Sequence, residues 1–207
     1  MCYPIFEDTA VRKEQKARSR QRILDAAAEC FRTQGYNATG INELMRRSNL
    51  TNGAFYAHFS SKEELLSQAA VAAAKQMKEN WVEGLEGLPP YQRVTTLLAR
   101  YLSEDHRDSP QQGCTLPTLG AEIARQGDQV RIAVEQQLHL SISPLTEALH
   151  ELKVKRVDEL AWCLLSLCIG AITLARAVND GSLSTKILEG ALCQAMQLID
   201  SQVKAGV

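Results

Sequence analysis

Between Thr51 and Lys62 the chain gathers side chains suited to binding phosphate and base edges rather than to making or breaking bonds. Thr51, Tyr56 and His58 offer a hydroxyl, a phenol and an imidazole to phosphate oxygens, contacts that set register on a duplex without reading its sequence. Asn52 carries an amide that can pair with an adenine edge, and the Ala54 methyl can meet a thymine methyl. Gly53 and Ala54 keep the leading end of this segment slim. Lys62, at the start of a following helix, adds a cation and a helix N-terminus, both favourable to phosphate. Phe55 and Phe59, four apart, supply the buried side of the same short helix. Taken singly, these residues read more plainly: both Phe are core under any function, and an isolated His58 or Tyr56 packs or caps. The string as a whole points to nucleic acid.

A second candidate is Cys114, in Gln112-Gly113-Cys114-Thr115-Leu116-Pro117. A thiol near a helix N-terminus has a lowered pKa and more thiolate, and His106 and Arg107 are candidate helpers. The alternative is a packing cysteine. Trp81, His139 and Trp162, with Met77, are candidate linings of a ligand pocket, although such residues on helices are also ordinary core. Catalysis finds little support. There is no G-x-G-x-x-G, P-loop, G-x-S-x-G or H-E-x-x-H, and the four histidines (58, 106, 139, 150) are not clustered in sequence. The six cysteines form no C-x-x-C pair and no zinc-finger spacing, so no cofactor and no metal are expected, and the thiols should be free.

These residues need elements to position them. Ile23, Leu24, Ala27, Ala28 and Phe31 follow the stripe of an amphipathic helix over about 16–33, and Gly35 stops it. Residues 1–13 contain Pro4 and show no period, which predicts a loose arm. Ile41, Leu44 and Met45 mark a short helix over 41–48, Asn49-Leu50 a turn, and Thr51 the N-cap of a third helix reaching about Phe59. Ser61 and Glu64 have capping-box spacing, predicting a long helix toward Val82. After the Gly87–Pro90 break, helices are predicted over 91–102, 115–124, 128–149, 157–178 and 184–203, with a polar loop over 103–112 and a turn at Asn179-Asp180-Gly181. Strand-like alternation is not convincing anywhere, so the chain is expected to be all-α. Its second and third helices lie in helix-turn-helix order.

Charge divides the same way. Residues 1–62 carry ten Lys/Arg against six acids, and the remainder thirteen against eighteen. A basic head on an acidic body is expected where only the head meets phosphate, although a solvated basic first helix would look the same.

The run Gly35-Tyr36, Thr39, Leu44, Leu50-Thr51-Asn52-Gly53-Ala54-Phe55-Tyr56-Ala57-His58-Phe59, Ser61-Lys62-Glu63-Glu64-Leu65 resembles the signature of the TetR family, as does Arg22-Ile23-Leu24-Asp25-Ala26-Ala27 with Phe31. The resemblance covers about residues 18–66. It implies an N-terminal three-helix helix-turn-helix DNA-binding domain over 1–66, arm included, followed by a helical effector-binding and dimerisation domain over 67–207. It further implies contact with double-stranded operator DNA from Thr39, Thr51, Asn52, Gly53, Ala54, Tyr56, Ala57, His58 and Lys62. Two departures bear on docking: Gly40 stands where a Ser or Thr cap is frequent, and Ser48-Asn49 where Ala-Gly is common. In one branch of the family a cysteine placed like Cys114 reacts with electrophiles or oxidants.

Beyond residue 68 the resemblance is architectural. It implies a pocket for an unknown small-molecule effector and a homodimer through the last two helices. Val157, Leu160, Ala161, Leu164, Cys168, Ile172 and Ala175 trace one apolar seam, and Ile187, Leu188, Ala191, Leu192, Ala195, Met196 and Ile199 another. These suit an intermolecular four-helix bundle or an intramolecular helix pair. The expected function is a ligand-released transcriptional repressor, with switching through Cys114 as the alternative; an enzyme and a protein-binding adaptor fit less well. The chain is 45% hydrophobic and 23% charged, the balance of a globular protein with a core. No secretory signal is legible, and the apolar stretch Leu160–Ala177 is interrupted by polar residues, so a cytoplasmic protein with no membrane span is expected.

Overall fold

A computed structural model describes residues 5–205. Among these residues ten α-helices follow one another: α1 (Ile5–Gln34), α2 (Ile41–Arg47), α3 (Asn52–Tyr56), α4 (Lys62–Val82), α5 (Pro90–Tyr101), α6 (Glu104–Asp108), α7 (Leu116–Ile123), α8 (Asp128–Glu151), α9 (Val157–Ala177) and α10 (Gly181–Ala205), with a 3-10 turn at Pro110–Gln112. No strand occurs among the described residues.

Two expectations need correction. The arm is helical from Ile5 onward, and residues 1–4 lie outside the described residues. From Val11 to Arg18 every side chain is exposed, so no core imposes a period there. Good helix formers such as Ala, Arg, Lys, Glu and Gln carry the helix instead, with an Arg18–Glu14 pair at 2.5 Å along its flank. The loop at 103–112 is also structured. Ser103 caps α6 by accepting the His106 N–H at 3.1 Å, and Pro110 opens the 3-10 turn.

The head packs α1, α2 and α3 around Ile23, Ala27, Phe31, Leu44, Met45, Phe55 and Phe59. Gly35, at φ 87, ends α1 and turns the chain. In the α2–α3 turn Asn49 takes φ 51, a left-handed conformation that asparagine tolerates better than most residues. Arg22 braces that turn from α1 through the carbonyls of Ser48 and Asn49. Gly40 caps α2 with no side-chain bond.

Helix α4 runs unbroken from head to body. Its cap is shifted from the expected form: Ser61 Oγ accepts the Glu64 N–H, whereas the Glu64 carboxylate takes the N–H and hydroxyl of Ser60. Leu65, Leu66, Ala69 and Ala73 join the head core, to which α7 adds Leu119 and Ile123. Met77 joins the body core.

The body core also takes in the seams proposed for α9 and α10: Val157, Ala161, Leu164, Cys168, Ile172, Ala175, Leu188, Ala191, Ala195 and Ile199 are buried within the chain itself. The faces left outward carry Cys163, Gly170, Leu174, Leu183, Gly190 and Cys193. By length and composition α9 is apolar enough to cross a bilayer; in this fold it packs against α8 and α10.

Candidate nucleic-acid interface

Helix α3 is held from below by Phe55 and Phe59, which are 0% and 2% exposed with ring centroids 5.8 Å apart. This anchoring turns the other side of the short helix to solvent. Thr51, Asn52, Gly53 and Ala57 are exposed, Ala54 half so, and Tyr56 stands out at 69% exposure, edge-on to Phe55 at 5.1 Å. Thr51 is the N-cap, yet its hydroxyl makes no capping bond. A Cβ built on Gly53 would meet nothing nearer than Thr51 Oγ1 at 3.9 Å. Nothing in the chain's own packing therefore calls for glycine here.

Three neighbours were not singled out by sequence. Asn42, at the start of α2, accepts a 2.8 Å bond from the Asn52 amide and orients it. Lys16 and Arg20 lie along α1 beside His58. Burial first, then the charges of Lys16 and Arg20, hold His58 below the ordinary imidazole pKa, so it is neutral at neutral pH. Its Nδ1 is buried without a partner. The Arg20 guanidinium sits over the Phe59 ring at 5.3 Å and donates to Gln68. The signal in sequence was the i, i+4 spacing of Lys16 and Arg20, but only the fold shows that they flank α3.

Two named residues serve the chain itself. Thr39 is 0% exposed and donates its hydroxyl to the Gly35 carbonyl at 2.7 Å, so it locks the α1–α2 turn and presents no hydroxyl to phosphate. Lys62 donates to the Tyr36 carbonyl at 2.5 Å while its ammonium lies 4.1 Å from that ring's centroid. Burial lowers its pKa, with Glu122 and Glu63 opposing.

The same turn is gripped from the body. Glu122 of α7 accepts the N–H of Tyr36 at 2.5 Å, the N–H of Asn37 at 3.3 Å and the Asn37 amide at 3.1 Å. A second tie joins Arg32 of α1 to the Gly113 carbonyl at 3.4 Å.

The other end of α7 borders a cavity. Two chambers of about 60 Å³ each adjoin there, sharing Met77, Trp81, Tyr101, Ser141 and Leu165 as walls. Cys114 and Trp81 line it as expected. His139 and Trp162 do not: they meet edge-on at 5.5 Å away from both chambers, His139 exposed and Trp162 half-buried. Cys114 departs from expectation in chemistry. Burial pushes its thiol pKa up, and nearby Tyr101, Leu116, Arg176 and Arg32 only partly oppose this. Desolvation of the thiolate outweighs the helix start. The expected helpers are otherwise engaged. His106 accepts the Cys114 backbone N–H at Nε2, 3.0 Å away, and its Nδ1 pairs with the Tyr101 carbonyl at 2.6 Å. Burial brings its pKa down to about 4. Arg107 pairs with Asp108. Cys30, Cys163, Cys168 and Cys193 are free as well.

A three-helix head with an outward helix-turn-helix is joined by one continuous helix to an all-helical body with a cavity, the architecture of helix-turn-helix regulator folds. Residues 23–69 match the family model described as "Bacterial regulatory proteins, tetR family". The HTH-type transcriptional regulator LmrA of Bacillus subtilis is 41% identical over 61 residues, 30% of this chain and 31% of that protein, so the match spans about a third of the relative's length. Among solved structures, a TetR transcriptional regulator from Chloroflexus aurantiacus superposes with a TM-score of 0.74 at 24% identity, covering 91% of this chain and 98% of that one. The reduced form of Escherichia coli NemR gives 0.73 at 22%, covering 86% and 94%. The head therefore matches the TetR family of bacterial regulatory proteins over residues 23–69, and the chain as a whole shares the fold of solved TetR-type regulators.

Proposed function

We propose that the chain is a sequence-specific DNA-binding regulator of transcription, a cytoplasmic homodimeric repressor that a small molecule releases from its operator. The observation that carries the reading is the α3 surface: an exposed, slim leading end with an unexplained glycine, flanked by Tyr56, His58, Lys16 and Arg20. Residues 1–66 act as the head and 67–207 as the effector and dimerisation body. Thr51, Asn52, Gly53, Ala54, Tyr56, Ala57 and His58 face the duplex. Lys62 shapes the adjoining turn and offers its helix N-terminus to phosphate.

The dimer forms through the outward faces of α9 and α10. Leu174 and Leu183 are 59% and 45% exposed, and Gly170 and Gly190 allow close backbone approach. Two-fold pairing then spaces two α3 helices for a near-palindromic site.

Release follows from α7 reaching both sites. Its N-terminal approach lines the cavity, and its Glu122 holds the Tyr36–Asn37 turn of the head. A ligand that favours one placement of α7 shifts the head with it, by no more than its preference for that state.

A salt-dependent titration against DNA upstream of the chain's own coding region, with a scrambled duplex alongside, tests the reading. Support is a preference of roughly a thousandfold or more, with strong salt dependence. Equal weak binding to both duplexes, and to every fragment of a genomic selection, refutes it.

A second reading has one observation behind it: Cys114 borders the cavity, where a small electrophile entering would meet its sulphur. Its raised pKa makes the resting thiol a slow nucleophile. Full release of a Cys114→Ser variant by electrophiles that release the wild type would sink this version.

A further inference from the structure

Building on the reading of the body as an effector domain, we propose that its cavity takes an uncharged, largely apolar molecule bearing one hydrogen-bond acceptor, received by the Tyr101 hydroxyl. Tyr101 is 3% exposed, and its hydroxyl is buried with no conventional partner. Its hydrogen-bonding neighbour is the Cys114 thiol, an acceptor weak enough for a ligand oxygen to displace. Nearby acceptors are spoken for: His106 Nε2 takes the Cys114 N–H, and the Tyr101 carbonyl takes His106 Nδ1. Buried donors are rarely left this way in folded proteins, and Tyr101 lies where the two chambers adjoin.

The cavity walls set the rest of the ligand's chemistry. Among the described residues, no charged side chain lines the chamber that holds Cys114. The other holds one, Lys78, whose ammonium already bonds the Ser143 hydroxyl at 2.9 Å. A cation would lose its hydration with no counter-charge in these walls. An anion would find only Lys78, in the chamber away from Cys114 and already bonded to Ser143, so a neutral ligand fits the lining best. Each chamber of about 60 Å³ admits roughly four to six water-sized groups. A molecule of about eight to ten heavy atoms would span both if the flexible Met77 side chain between them gives way.

Acetophenone and α-methylstyrene have nearly the same shape and differ by a carbonyl oxygen against a methylene. Each is titrated into full-length protein on a Trp162→Phe background, leaving Trp81 as the reporter, its ring 4.7 Å from Tyr101. The expected result is acetophenone binding about tenfold tighter, with Tyr101→Phe reducing that preference to within about twofold. A Leu165→Phe substitution, filling both chambers without adding a second reporter, should abolish both signals. Equal affinities in the parent protein, or a preference that survives Tyr101→Phe, overturns the Tyr101 assignment while leaving the cavity a ligand site. No binding of either probe to folded protein, as judged by its melting transition, overturns the cavity as a site and the effector reading with it.

Discussion

Gly53→Ala separates what the fold wants from what DNA wants. Gly53 is the second residue of α3, outside the positive-φ positions, with open space around a Cβ out to 3.9 Å. Alanine therefore fits, and it should stabilise the helix by about 0.5 kcal/mol, near the low end for this exchange because the position lies in the first turn. For a chain of this size that is a rise of about 1–2 °C in Tm. On the operator the same methyl would project from the end of α3 that approaches the bases. Overpacking a close contact costs about 1–3 kcal/mol, which weakens Kd roughly five- to 150-fold. The slope of log K against log salt should not change, since no phosphate contact is removed. Fluorescence anisotropy with an operator duplex at several salt concentrations, alongside a thermal melt, measures all three quantities. A Gly53→Ala protein that binds within twofold of wild type would refute the claim that glycine is needed for close approach, and a lowered Tm would refute the open space.

Other consequences can be checked on the free protein. Glu122→Ala strips the acceptor from two backbone N–H groups of the α1–α2 turn, and a loss of about 1–3 kcal/mol is expected; a Tm within 1 °C of wild type would show the clamp to be idle. His106 has a folded pKa depressed to about 4 against an ordinary 6.5, so the unfolded chain binds its proton first. Its contribution is complete above pH 6.5 and is lost as pH falls toward 4, on the order of 3 kcal/mol in total. Urea melts of His106→Gln, though less stable near neutral pH, should show a shallower decline across that window, and equal slopes would remove His106 as the cause. Asn49→Ala should destabilise by about 1 kcal/mol, because alanine tolerates φ 51 less well, whereas Asn49→Gly should be neutral or better. Chemical denaturation orders the three, and alanine ranking above glycine would contradict the left-handed assignment.

Much of the molecule is legible in the residues. Periodicity placed most of the long helices to within a few positions, because a half-buried helix writes its inner face into the sequence at 3.6-residue spacing. Phe55 and Phe59 likewise announced which side of α3 is buried, and thereby which side is not. Elements stay hidden in the sequence where the period is absent or where two partners can claim the same face. The first turns of α1 have no buried side and so left no period. Short α6, capped by Ser103, was hidden in a polar stretch because five residues are too few to show one. The α9 and α10 seams read first as a dimer face, with an internal core as the alternative, and the fold assigned them to the core.

The sequence by itself determined the all-α architecture, the helix-turn-helix and the polar face of α3, since local propensity, capping and amphipathic pattern act over neighbouring residues. Only the tertiary structure decided the chemistry of groups whose surroundings come from distant elements. It buried Thr39 and turned its hydroxyl inward, tied Lys62 to Tyr36, and set Lys16 and Arg20 beside His58. It drove the Cys114 pKa up where a helix start alone predicted down, and it drew Glu122 across from α7 to the α1–α2 turn. Burial, desolvation and charge proximity depend on which helices pack together, and that is not written in the spacing of residues along any one of them.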